Sequence, residues 1–229
     1  MGDYNERVEG HVRVKVFLSA ATCVAACLVA PLASQSERVW HFDQETPGGA
    51  PAGFLLSSMR QPTPGRWTIE RQGPQGHVVH HAEAGAGGYA MALVHETTPA
   101  DVAVSARLRF SGPVKMGGLI WRAQDTQNFY ALVLDLVGRE LALYRVTSGN
   151  RIRIDVEDDL ELDPHAWHAV KVVHEEAEIR VSLGGVGVFH ERDRRDEHQS
   201  APGRVGLLAA GAADVWFDDL RVESKKGRR

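Results

Sequence analysis

Residues 102–110 read VAVSARLRF. Val102, Val104, Ala106, Leu108 and Phe110 fall on one side of an extended chain, and Ser105, Arg107 and Arg109 on the other. Successive side chains of a strand point to opposite faces, so this stretch predicts a strand with one dry and one wet face. The same alternation recurs in RIRIDVE (151–157), where Ile152, Ile154 and Val156 oppose Arg151, Arg153, Asp155 and Glu157, and in EIRVSL (178–183), through Ile179, Val181 and Leu183. In 215–222 parity sets Val215 and Phe217 against Trp216, Asp218, Leu220 and Val222. Strands of this kind build antiparallel sheets that pack on one side.

Outward from these stretches, Gly/Pro turn signals recur at Pro47-Gly48-Gly49, Gly112-Pro113, Ser148-Gly149-Asn150, Gly184-Gly185 and Pro202-Gly203. No segment carries a helical stripe, and 159–167 with its Pro164 reads as a turn into a strand. Many short strands between such turns predict an all-β fold of two packed sheets or a barrel. Of the 229 residues, 37–224 are assigned to one β-sandwich domain and 225–229 to a basic tail, the remaining 1–36 being a leader. A domain of roughly 190 residues is long enough to bury its own core.

The leader contains VFLSAATCVAACLVAPLA (16–33), uncharged throughout, after Arg13 and Lys15 and before Ser34, Gln35 and Ser36. A basic flank, an apolar run and a small-residue exit are the layout of an export signal, expected as a helix. Three fates are open. Cleavage near Ala33–Ser36 ranks first, and lipidation of Cys27 in the lipobox-like Val24-Ala25-Ala26-Cys27 second. Retention as an anchor ranks third, because ~18 apolar residues just span a bilayer. The protein is therefore expected outside the cytoplasm, as a periplasmic, secreted or envelope-anchored form that meets a membrane only through this segment.

Both cysteines, Cys23 and Cys27, lie in the leader, so the domain carries no disulfide and no thiolate site. The net charge is −4. Apart from the tail residues Lys225, Lys226, Arg228 and Arg229 there is no basic cluster, which argues against a nucleic-acid partner. The mixed-sign run Glu191–His198 reads as an exposed loop.

His41-Phe42-Asp43 with Gly48 to Gly53, Arg66-Trp67-Thr68-Ile69, Asp101 to Phe110 and Gly118-Leu119-Ile120-Trp121-Arg122 follow one another in order. Asp125, Asn128-Phe129-Tyr130, Leu141 to Arg145, Gly203 to Leu207 and ADVWFDDLRV (213–222) continue the series. Together they resemble concanavalin A-like jelly rolls, and more narrowly the 3-keto-disaccharide hydrolase domain family. The resemblance implies a jelly-roll sandwich whose concave sheet faces a sugar. It implies core positions for Trp40, Trp167 and Trp216. It also implies a catalytic Glu after the tyrosine of the central strand, where this sequence has Ala131.

By parity Tyr130, Leu132, Leu134 and Leu136 face the core, and Phe129, Ala131, Val133 and Asp135 the concave side. Asp135 is the best surviving carboxylate, Arg122 a candidate oxyanion or hydroxyl partner, and His80 (or His81) a candidate base, since a 3-keto sugar needs only one base and one acid. Trp67, Trp121, Phe129 and Tyr144 are candidate sugar-stacking rings, with a core role as the competing reading. No cofactor is called for. Structural calcium is the metal candidate, held by Asp43 with Asp218 or Asp219 if the first and last strands run side by side. The preferred function is a non-catalytic carbohydrate-binding domain of the cell envelope, whose partner is a glycan or oligosaccharide. A 3-keto-glycoside hydrolase or lyase with a rearranged site is the alternative, and a structural or protein-binding sandwich a second one.

Overall fold

The stretch at 102–110 forms the middle of the first sheet. The computed structural model describes residues 36–73, 76–82, 88–194, 201–210 and 212–225. The apolar leader, Cys27 and the tail beyond Lys225 lie outside them.

Among the described residues fifteen strands follow in chain order. They are β1 (Glu37–Trp40), β2 (Phe54–Met59), β3 (Arg66–Gln72), β4 (Gly76–Ala82), β5 (Tyr89–Val94), β6 (Val102–Ser111), β7 (Met116–Ala123) and β8 (Phe129–Asp135). After these come β9 (Glu140–Thr147), β10 (Asn150–Glu157), β11 (His168–Glu175), β12 (Glu178–Leu183), β13 (Val186–Arg192), β14 (Arg204–Ala210) and β15 (Asp214–Ser224). The first sheet runs β13-β12-β11-β6-β15-β4-β3, with β1 also paired to β15; the second runs β10-β9-β8-β7-β14-β5-β2. Every pairing is antiparallel. The protein is thus the two-sheet jelly-roll sandwich that the alternation and the resemblance lead one to expect.

The core lies between the sheets. Val104, Leu108 and Phe110 of β6 belong to one buried cluster with Leu132 and Leu134 of β8 and with Trp121, Leu143 and Phe217. Burial of each large apolar side chain stabilises the fold by roughly 1.5–3 kcal/mol. The expected division of β8 holds for Tyr130, Leu132 and Leu134. The other face of the second sheet departs from expectation. Phe129, Ala131 and Val133 are buried in a second apolar cluster with Met91, Ile120 and Leu208. They do not form a polar surface for a sugar.

Two β-bulges change the register read from parity. In β15 the pairing steps from Asp218↔Arg107 to Arg221↔Ser105, three residues against two. The extra residue, with Asp219 at φ 50°, inverts the alternation. Leu220 and Val222 therefore turn into the core beside Val215 and Phe217, where simple parity sets them opposite. In β7 the pairing steps from Ala123↔Arg204 to Ile120↔Gly206, with Arg122 at φ 50°. Trp121 and Arg122 then both reach His174 of the opposite sheet instead of pointing apart. The bulge presses on Gly203, where a Cβ would lie 2.5 Å from the Arg122 carbonyl carbon, so only glycine fits.

Candidate functional site

The three candidate catalytic side chains do not converge. Asp135 closes its own turn, its Oδ1 accepting from the amides of Val137 and Gly138, both at 2.9 Å. Arg122 is buried between the sheets and donates to the carbonyls of Ala100 (2.7 Å) and Glu176 (3.0 Å). His80 stands on β4 of the other sheet, bonded through Nδ1 to Glu70 at 2.6 Å and through Nε2 to Asp214. His81 is wholly buried and its Nδ1 meets the Ala213 carbonyl. Each of these groups is already used by the fold, which corrects the expectation of a shared catalytic centre.

Three of the four candidate stacking rings are also structural. Trp67 packs on His81 and Phe217 and donates to the Pro64 carbonyl. Trp121 stacks on Tyr130 and donates to His174, and Phe129 lies in the second apolar cluster. Tyr144 alone is half-buried, with the Arg151 guanidinium 5.6 Å from its ring.

The calcium candidates are occupied as well. β1 does pair with β15, but Asp43 accepts from the His77 amide. Asp218 and Asp219 share Arg107 at 2.6 Å each, and Asp219 also holds His41. The guanidinium stands where a cation would be needed. Among the described residues no three potential ligands form a metal-binding group. Burial, with the charge of Asp219, raises the pKa of Asp218 despite Arg107.

Trp216 and Trp167, expected in the core, face outward on the first sheet. Trp216 pairs with Arg109 of β6 and His80 of β4, and Trp167, just ahead of β11, extends the row beside Arg109. Arg109 lies 5.2 Å from the Trp167 ring and 5.1 Å from that of Trp216. His80 stacks on the other face of Trp216 at 4.3 Å, with 2° between the rings. These separations match the inter-strand spacing of ~4.8 Å. The ladder uses both faces of Trp216, so that ring braces the sheet and is not open to a sugar. Asp214, below it, has a lowered pKa: burial opposes this, but hydrogen bonds from Ser111 and His80 outweigh it.

One cleft remains. Between β10, at the edge of the second sheet, and β13, at the edge of the first, lies a space of about 420 Å³. A binding pocket for a small ligand measures roughly 300–1,000 Å³. Ile152 and Ile154 give the cleft an apolar side, and Ile152 is 42% exposed. Arg153, Arg192 and Arg194 supply donors, and the Arg145–Asp193 pair is also part of the wall. That pair is buried, with Arg145 Nη1 2.7 and 2.5 Å from the two Asp193 oxygens and the Tyr130 hydroxyl donating to Asp193 at 3.0 Å. Glu191 also lines the cleft. Burial first, then the charge of Asp155 and a hydrogen bond with it, raise the Glu191 pKa. Sequence reasoning missed this site because the run at 191–194 reads as a solvated loop, whereas Glu191 and Arg192 end a strand and Asp193 is buried.

No family model and no curated protein matches the chain. Among solved structures it is similar to the carbohydrate-binding module CBM66 from Bacillus subtilis: TM-score 0.58, 16% identity, 74% of this chain and 95% of that one. It is similar also to a Bacillus subtilis protein of unknown function with a galectin-like fold (TM-score 0.56, 13%, 76% and 90%). A third is the Bacillus licheniformis β-glucanase (TM-score 0.55, 9%, 83% and 98%). The chain is a concanavalin A-like jelly-roll sandwich; at these identities the likeness fixes the fold alone.

Proposed function

We propose that the chain is a non-catalytic, glycan-binding sandwich that works outside the cytoplasm, with the β10–β13 cleft as its binding site. The observation that carries this is the mixed lining of the cleft. Ile152 and Ile154 offer an apolar surface for the C–H face of a pyranose, and the arginines and Glu191 offer the hydrogen-bonding groups its hydroxyls need. The CBM66 likeness supports the reading, and so does the export-type leader in the sequence.

The two carboxyls that line the cleft, those of Glu191 and Asp193, favour binding over hydrolysis. Asp193 is held by Arg145 and by the Tyr130 hydroxyl, which leaves Glu191 without a second free carboxyl. Glycoside hydrolysis normally uses a pair of carboxyls flanking the scissile bond. Saturation-transfer NMR of the full chain with a panel of oligosaccharides tests the reading. Saturated sugar protons with no new reducing-end signals are expected, and Ile152→Asp should remove the saturation while leaving the circular dichroism unchanged. New reducing-end signals would establish the hydrolase instead. No saturation by any sugar would leave a structural or protein-binding sandwich.

A further inference from the structure

We infer that the glycan recognised in the β10–β13 cleft is acidic, a uronate-containing oligosaccharide whose carboxylate is held by Arg153 and Arg194; this rests on the glycan-binding reading of the same cleft. Four guanidinium groups line the cleft against two carboxyls, those of Glu191 and Asp193. Two of the four are engaged: Arg145 is matched by Asp193, and Arg192 by Glu178 at 2.7 Å. The other two keep donors free. Arg153 meets Glu140 only at 3.8 Å, with its side chain 54% exposed. Arg194 is exposed and has no ion pair among the described residues.

A guanidinium presents a planar fork that matches a carboxylate with two parallel N–H···O bonds, and such charge-assisted bonds are about twice as strong as neutral ones. A neutral sugar could use these donors only singly. Of the two lining carboxyls Asp193 is paired with Arg145, so Glu191 is the one remaining negative charge set against the arginines. The isoleucines then take the ring's apolar face while its carboxylate reaches the arginines.

The test is calorimetric titration of the full chain with oligogalacturonate, oligoglucuronate and oligomannuronate, each beside its methyl ester. Esterification removes the charge and leaves the sugar. At least one uronate should bind, its ester about tenfold more weakly or worse. Arg153→Gln and Arg194→Gln should each lower uronate affinity about tenfold and leave ester binding unchanged, with thermal unfolding as in the parent. Binding should also weaken as salt is raised, since exposed charges are screened. An ester that binds as well as its acid overturns the inference and leaves the glycan-binding reading standing. Uronate binding that survives both substitutions also overturns it. A chain that binds neither acid nor ester, nor any neutral oligosaccharide, overturns both.

Discussion

Asp193→Ala should destabilise the protein by about 3–5 kcal/mol, the usual cost of removing one partner from a buried ion pair. Asp193 is 6% exposed and Arg145 9%. The pair joins the end of β13 in the first sheet to β9 in the second, and the Tyr130 hydroxyl adds a third bond. Removing the carboxylate strands a guanidinium that burial has already deprived of water. Urea unfolding should show a lower midpoint with an unchanged slope. Arg145→Met combined with Asp193→Leu should recover much of the loss, because no uncompensated charge then remains. Tyr130→Phe should cost about 1 kcal/mol, one hydrogen bond. A single Asp193→Ala variant as stable as the parent would show that the Arg145 guanidinium still reaches water.

Acid should weaken the protein well above the carboxylate range. His174 is wholly buried. Burial, then the charge of Arg122, push its pKa from 6.5 to about 2, against a smaller opposite effect from a hydrogen bond with the Glu176 backbone. The Trp121 indole N–H donates to Nδ1 of the ring, so that nitrogen carries no proton. The unfolded chain takes up a proton near pH 6.5 that the folded chain refuses, so stability is complete above that pH and falls as pH drops below it. At 1.36 kcal/mol per pH unit, the His174 contribution to the loss is about 2.7 kcal/mol at pH 4.5. His81 acts in the same sense, its pKa lowered by burial. His174→Gln should be less stable at pH 7 but lose about one proton from the pH slope of its unfolding free energy between pH 6.5 and 4.5. An identical slope in parent and variant would contradict a neutral buried His174.

Much of the fold is legible in the sequence because it depends on local alternation. β6, β12 and the inward face of β8 follow directly from period two, and the pairing of β1 with β15 matches the expected neighbouring of first and last strands. What escapes are places where one residue breaks the count. The bulges at Arg122 and Asp219 carry no strong local signature, since both are non-glycine residues at positive φ. They bring Trp121 and Arg122 to the same histidine and turn Leu220 and Val222 inward. Trp167 and Trp216 escape for another reason. A tryptophan is usually best hidden, and only the neighbouring Arg109 and His80, supplied by other strands, make an outward ladder favourable. The cleft escapes because its walls, near residues 153 and 192, are joined only by the edges of two different sheets. Asp135 shows the converse. Its residue type suits catalysis, and two backbone amides of its own turn account for it instead.

The extra residue at Asp219 also determines how the last strand responds to changes in length. β15 holds the centre of the first sheet, bordered by β6, β4 and β1. Deleting one residue at the bulge would put everything after it half a period out of phase, sending Leu220 and Val222 to solvent and Arg221 inward. Substituting Asp219 by asparagine or glycine, which tolerate its φ of 50°, costs its bonds to Arg107 and His41. The position is therefore sensitive to being counted and tolerant of those two changes. Hairpin tips such as Gly184-Gly185, where a Cβ would meet nothing within 4 Å, should absorb added residues without disturbing the strands on either side.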